Sequence, residues 1–107
     1  MRAARQAARW TRGATRDLRE IWRYYAAVAS PEIADGFVIT LTRAGERTLD
    51  RPLAWRTRDD LAPGLRAIRV KPYILFYRTT SSGIEVLRVL HERRDIAAVF
   101  RTPPDLG

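Results

Sequence analysis

The sequence predicts an α+β domain in which a helical hairpin packs on an antiparallel sheet of three to four strands. Three observations carry this. Apolar residues recur at three- and four-residue spacing from Leu18 to Leu49; beyond Gly64 the chain turns to β-branched and aromatic runs; and the links between those runs are short. With 107 residues and 46% apolar content the chain can build one modest core, so residues 1–107 are read as a single domain.

The opening stretch MRAARQAARWTRGATR holds Arg2, Arg5, Arg9, Arg12 and Arg16 and no acid. Their spacing would align them on one helical face, yet Gly13 interrupts a helix and Trp10-Thr11 could close a short edge strand; an Arg-rich, acid-poor leader has the same composition. Residues 1–9 are therefore a basic segment with three open readings. From Asp17, the residues Leu18, Ile21, Trp22, Tyr25 and Val28 form the apolar stripe of a first helix, with Asp17 and Glu20 suited to its dipole. Ser30 is a good N-cap, Pro31 fits the first helical position and Glu32 the first turn, so a second helix starts there and runs to about Leu49. Its expected inner face is Ile33, Phe37, Leu41, Ala44 and Thr48 or Leu49. LAWRTRDDLAPG is an irregular connection, after which LRAIRV, PYILFYRT and IEVLRVL read as strands separated by Lys71-Pro72 and Thr80-Ser81-Ser82-Gly83. Such short links imply an antiparallel meander. The middle strand does not alternate, so both sheet faces should be at least partly covered.

Composition excludes several chemistries. There is no cysteine and only one histidine, His91, which removes disulfides, thiolate nucleophiles and histidine-rich metal sites; no metal or other cofactor is expected. No apolar run approaches a bilayer span, so a cytoplasmic protein without membrane contact is expected. The formal charge is +8, almost all of it arginine, with Lys71 the only lysine. Such a surface favours anionic partners, and arginine adds bidentate geometry toward phosphate and carboxylate.

The stretches ATRDLREIWRYYA, SPEIADGFV, RPLAWRTRDDLAPGLRAIRV, YILFYRT and IEVLRVLHERRDI resemble, in order and spacing, the ParE branch of the RelE/ParE toxin superfamily. The resemblance covers roughly Trp10 to Val99, and its most specific parts are the Gly64-Leu65-Arg66 strand entry and the strand end RVLHERRD. It implies a short N-terminal strand, two helices, an antiparallel sheet and a short C-terminal segment. It also implies a bacterial toxin of a type II toxin-antitoxin module, of the kind linked to plasmid stabilisation. Its partners would be an acidic ParD-like antitoxin, in a hetero-oligomer, and DNA gyrase, whose DNA-cleaved state such toxins trap. The RelE branch instead cleaves mRNA on the ribosome.

The two branches ask different things of the same residues. RNA cleavage needs a proton acceptor, a proton donor and cations on the phosphate; Arg66, Tyr77, Arg88, His91 and Arg94 would be that set. The chain lacks the C-terminal His-Tyr pair of one ribonuclease subgroup, so no catalytic residue is assigned. For a gyrase-binding toxin, Arg66, Arg88, His91, Arg93, Arg94, Asp95 and Trp55 are the expected target-binding residues, with His91 a pin within a basic edge rather than a proton shuttle. Arg12, Arg16, Arg19, Arg23 and Trp22 are the expected antitoxin contacts. A nontoxic basic module that binds nucleic acid directly is the third reading.

Overall fold

The computed structural model describes residues 6–102. Arg2 and Arg5 of the basic N-terminal segment lie outside them. The described chain runs β1 (Ala7–Trp10), α1 (Arg12–Val28), α2 (Pro31–Arg47), a 3-10 turn (Thr48–Asp50), β2 (Arg56–Thr57), β3 (Arg66–Val70), β4 (Tyr73–Thr80), β5 (Gly83–His91) and α3 (Ile96–Arg101). The class is the expected α+β, with the helical hairpin and the three-strand meander in place. Two strands enlarge the sheet to five, in the order β1-β5-β4-β3-β2. β1 lies parallel to β5, Ala7 opposite Gly83 and Trp10 opposite Val86, which makes the sheet mixed. The two-residue β2 pairs antiparallel with β3.

α1 begins five residues before the expected Asp17. Thr11 explains this: its side chain accepts from the Ala14 N–H and caps the helix. Gly13 does not interrupt, because it sits in the first turn, where an N–H has no intrahelical partner to lose. A Cβ there would lie 3.2 Å from Arg88 Cδ, so the glycine makes room for that side chain. α2 starts as expected, with Ser30 accepting from the Ile33 N–H and Pro31 at the first position. Ile33, expected inside, is half exposed; the buried stripe is Ala34, Leu41, Ala44 and Thr48, and Ile33 falls about 100° off it. Val28, on the expected stripe of α1, is also exposed, while Ala14, Asp17 and Ile21 are buried.

The sheet is covered on both faces, as the unalternating middle strand suggests. The hairpin packs Ile21 and Leu41, with Leu18, Tyr25 and Phe37, against Ile68, Tyr73, Leu75, Tyr77, Val86 and Val89. On the other face Leu65, Phe76 and Leu90 meet Leu61, Ile96, Val99 and Phe100, so α3 and the 61–62 turn form a smaller second core. Phe76 and Phe100 sit edge to face with centroids 5.0 Å apart. Leu87 is an extra residue in β5, since Phe76 pairs with Arg88 and Tyr77 with Val86. That bulge is pinned by Thr11, whose N–H bonds Val86 O and whose hydroxyl donates to Leu87 O.

Candidate functional site

β5 ends in the sequence that singles itself out, RVLHERRDI, and its side chains serve different ends. Arg88 turns inward. Its Nε and Nη2 donate to the two carboxylate oxygens of Asp17 at 2.8 and 2.9 Å, and the same carboxylate accepts from the Val89 N–H at 2.9 Å. Asp17 is 4% exposed, so this is a buried, bidentate clamp between α1 and β5. Sequence reading missed it: an acid early in a helix looks like a dipole partner, and its true partner is 71 residues away.

His91 closes the strand. Its Nδ1 accepts from the Arg93 N–H at 3.1 Å, its carbonyl accepts from the Arg94 N–H, and its ring stands edge-on to Tyr73, centroids 5.4 Å apart. Tyr73 continues through Phe37 to Tyr25, which stacks on Phe37 at 3.9 Å. The Tyr73 hydroxyl donates to Tyr25, and burial together with that bond pushes its pKa well above the ordinary tyrosine range. The imidazole is thus fixed from both sides. Asp95 caps α3 by accepting from the Ala98 N–H. Arg93 and Arg94 project outward, and among the described residues neither guanidinium has a hydrogen-bond or ion-pair partner.

Arg66 and Tyr77 are occupied by the chain itself. Arg66 Nη1 donates to Leu53 O at 3.1 Å and Trp55 O at 2.7 Å, tying the irregular connection to β3. Tyr77 is fully buried and its hydroxyl donates to Pro52 O at 2.6 Å; burial raises its pKa, with the nearby Arg66 acting against the rise. Trp55 is 45% exposed and flanks a groove of about 660 Å³ with Arg56, Ala67, Arg69 and Ile74. In that region Arg58 grips Asp60 and holds its carboxyl below the ordinary range, and Arg69 pairs with Glu92. Of the expected target-binding residues, the structure brings His91, Arg93, Arg94 and Asp95 together on one turn. Arg66 and Trp55 stand by the β2 edge, and Arg88 is inside.

The expected antitoxin contacts share one element. Arg12, Arg16, Arg19 and Arg23 are exposed along a single stripe of α1. Beside it Leu18, Trp22 and Val38, with the stems of Arg19 and Arg23, line a mainly apolar depression of about 380 Å³. Trp22 is 36% exposed and its Nε1 donates to Asp35 at 2.8 Å, which holds the indole against α2. Leu18 and Val38 completed this surface without being anticipated. Their place in the apolar period hides them, because such residues read as core. Among the described residues no group of His, Asp and Glu could hold a metal ion, and no helix is long and apolar enough to cross a membrane.

A family model described as the ParE toxin of type II toxin-antitoxin systems, parDE, matches residues 8–96. Toxin ParE1 of Mycobacterium tuberculosis is 35% identical over 80 residues, 74% of this chain and 82% of that protein. Toxin ParE3 of Caulobacter vibrioides is 31% identical over 88 residues, 82% of this chain and 88% of that protein. A solved structure of a chromosomal ParDE system from P. aeruginosa shares the fold, with a TM-score of 0.71 and 24% identity across 80% of this chain and 95% of that one. With a fold, a set of relatives and a family model in agreement from β1 to the start of α3, the chain belongs to the ParE toxin family of type II toxin-antitoxin systems.

Proposed function

We propose that this toxin acts by binding DNA gyrase and trapping its DNA-cleaved state, without itself being an enzyme, and that an acidic ParD-like antitoxin neutralises it. The observation that carries the reading is the disposition of the residues a ribonuclease would need. The Tyr77 hydroxyl is buried and donates to Pro52, the Arg88 guanidinium is clamped by Asp17, and Arg66 holds the Leu53–Trp55 backbone. Proton transfer needs groups within reach of substrate, and here the donor and Arg88 are turned into the fold while Arg66 is bonded to backbone carbonyls. What faces solvent at the end of β5 is mainly charge: Arg93 and Arg94, on a turn where the His91 ring is held through Nδ1 and against Tyr73. This suits recognition of an anionic surface.

The antitoxin reading rests on the other face. An apolar depression beside a stripe of arginines fits a segment that alternates apolar and acidic residues, orders on binding, and is steered in by opposite charge. Both partners place the action in the bacterial cytoplasm.

The test is to incubate the purified chain with gyrase, supercoiled plasmid and ATP and to quantify protein-linked linear DNA. Cleaved DNA should accumulate and should fall at least tenfold for Arg93→Glu, Arg94→Glu, while that variant still forms a complex with the antitoxin. Absence of cleaved DNA with gyrase responsive to a known poison, together with cleavage of ribosome-bound mRNA, would overturn the reading.

A further inference from the structure

The turn after β5 does not stand alone. The Pro72 carbonyl accepts from the Glu92 N–H at 2.9 Å, and Tyr73 pairs directly with His91, so the β3–β4 turn and the β5–α3 turn abut at one corner of the sheet. Lys71, the chain's only lysine, directly precedes Pro72 on the one turn, and Arg93 and Arg94 directly follow Glu92 on the other. All three are exposed, and among the described residues none has a hydrogen-bond or ion-pair partner. The acids nearest in sequence are engaged: Glu92 accepts from Arg69 through both oxygens, and Asp95 serves as the cap of α3.

The chemistry of the corner separates it from the rest of the surface. Among the described residues the large apolar side chains that are exposed are Trp22, Tyr24, Val28, Ile33, Ile39, Leu53 and Trp55, on the two long helices and the connection after them; neither turn of the corner carries one. A protein–protein interface is built around an apolar or aromatic centre, which the helical face has and this corner lacks. Single-stranded nucleic acid is held by stacking on exposed rings, and the ring at this corner, His91, is fixed edge-on to Tyr73. Three cations without a partner among the described residues, on two turns joined by a hydrogen bond and lacking an apolar centre or a stacking platform, match the phosphate backbone of a duplex, which is bound through charge and position alone.

We propose that Lys71, Arg93 and Arg94 form a contact for the phosphate backbone of duplex DNA. The assignment of that duplex to the segment held by gyrase rests on the function proposed above; the duplex contact itself does not. The toxin then bridges enzyme and DNA, with the charged corner on phosphates.

The experiment is a fluorescence-anisotropy titration of the full chain against a labelled 20-base-pair duplex from 50 to 200 mM KCl. Each phosphate neutralised contributes about 0.9 to the slope of log K on log salt, so three account for about 2.7, or roughly 40-fold in affinity across that range. Lys71→Ala, Arg93→Ala and Arg94→Ala should each flatten the slope by about 0.9, and the triple variant by about 2.7. A triple variant of equal charge, Arg43→Ala, Arg47→Ala, Arg51→Ala, should leave the slope within about half a unit of the parent. Equal flattening by both triple variants, or none by the corner variant, would overturn the proposal. Tighter binding of a single strand of the same length would overturn it as well. The gyrase cleavage assay on the same proteins separates the two ideas. Poisoning with no duplex contact at the corner leaves the gyrase reading standing alone, and a corner-dependent duplex contact without poisoning leaves the DNA contact standing alone.

Discussion

Replacing Asp17 by alanine removes, in one step, two charge-assisted hydrogen bonds from Arg88 and the acceptor of the Val89 N–H. Losing one partner of a buried ion pair costs about 3–5 kcal/mol. The Arg88 side chain is 25% exposed, so water can reach part of the guanidinium and the lower end, about 3 kcal/mol, is expected. With an unfolding entropy of about 2.1 cal/mol/K per residue, that lowers Tm by about 13 °C. The Asp17→Asn variant keeps one carbonyl oxygen for the Val89 N–H but forfeits the charge, and it should cost about half as much, roughly 1.5 kcal/mol. The competing account is that Asp17 merely complements the dipole of α1, which is worth only about 0.3–1 kcal/mol and fades beyond the first turn. Urea unfolding followed by circular dichroism decides between them through the shift in midpoint at constant m. A loss below about 1 kcal/mol for Asp17→Ala would refute the clamp, as would a double-mutant cycle with Arg88→Ala showing no coupling.

Three further outcomes follow from the packing. Because burial raises the Tyr77 pKa, its neutral phenol stabilises the fold fully below the unfolded value of about 10, and that stability is lost as pH rises through the folded value. Tyr77→Phe should therefore lose about 1 kcal/mol near pH 8, from the bond to Pro52, yet show a shallower decline above pH 10; parallel declines in urea midpoint would contradict this. In Gly45→Ala the new Cβ would lie 2.8 Å from Trp10 Cζ2, so the indole must shift. The gain of about 1 kcal/mol in helix propensity is outweighed by overpacking of about 1–3 kcal/mol, giving a net loss with altered tryptophan emission; a stabilised variant with unchanged emission would be the contrary result. In Gly83→Ala a Cβ would fall 2.0 Å from Ala7 O at a backbone φ of +141°, so β1 should detach from β5. Hydrogen exchange at Arg9 and Thr11 should accelerate at least tenfold, and unchanged protection would refute the tight edge.

Much of this architecture was readable because its signals are local. Ser30-Pro31-Glu32 announces a helix start within three residues, and the runs around Ile68, Leu75 and Val89 announce strands through β-branched and aromatic side chains. The failure of alternation in β4 correctly implied two covered faces, since Leu75 and Phe76 are both buried though adjacent. What stayed hidden depends on partners far along the chain. Nothing near Asp17 signals that Arg88 and Val89 will meet it, and nothing near Ala7 signals a parallel pairing with Gly83. Gly13 misled for the same reason: its value lies in the space it leaves for Arg88, not in its own propensity. Arg66 and Tyr77 carry chemically versatile groups, and only their neighbours reveal that those groups are occupied by Leu53, Trp55 and Pro52 carbonyls.

The parallel edge also sets a timetable for synthesis. The helical hairpin is complete in sequence at residue 47, whereas β1 has no partner until residues 83–86 exist, and Asp17 none until Arg88 and Val89 follow. At about 5–20 residues per second, the 71 residues between Asp17 and Arg88 take about 4–14 s to make. The basic corner is therefore made well after the arginine stripe of α1, which is by then already available to an antitoxin partner.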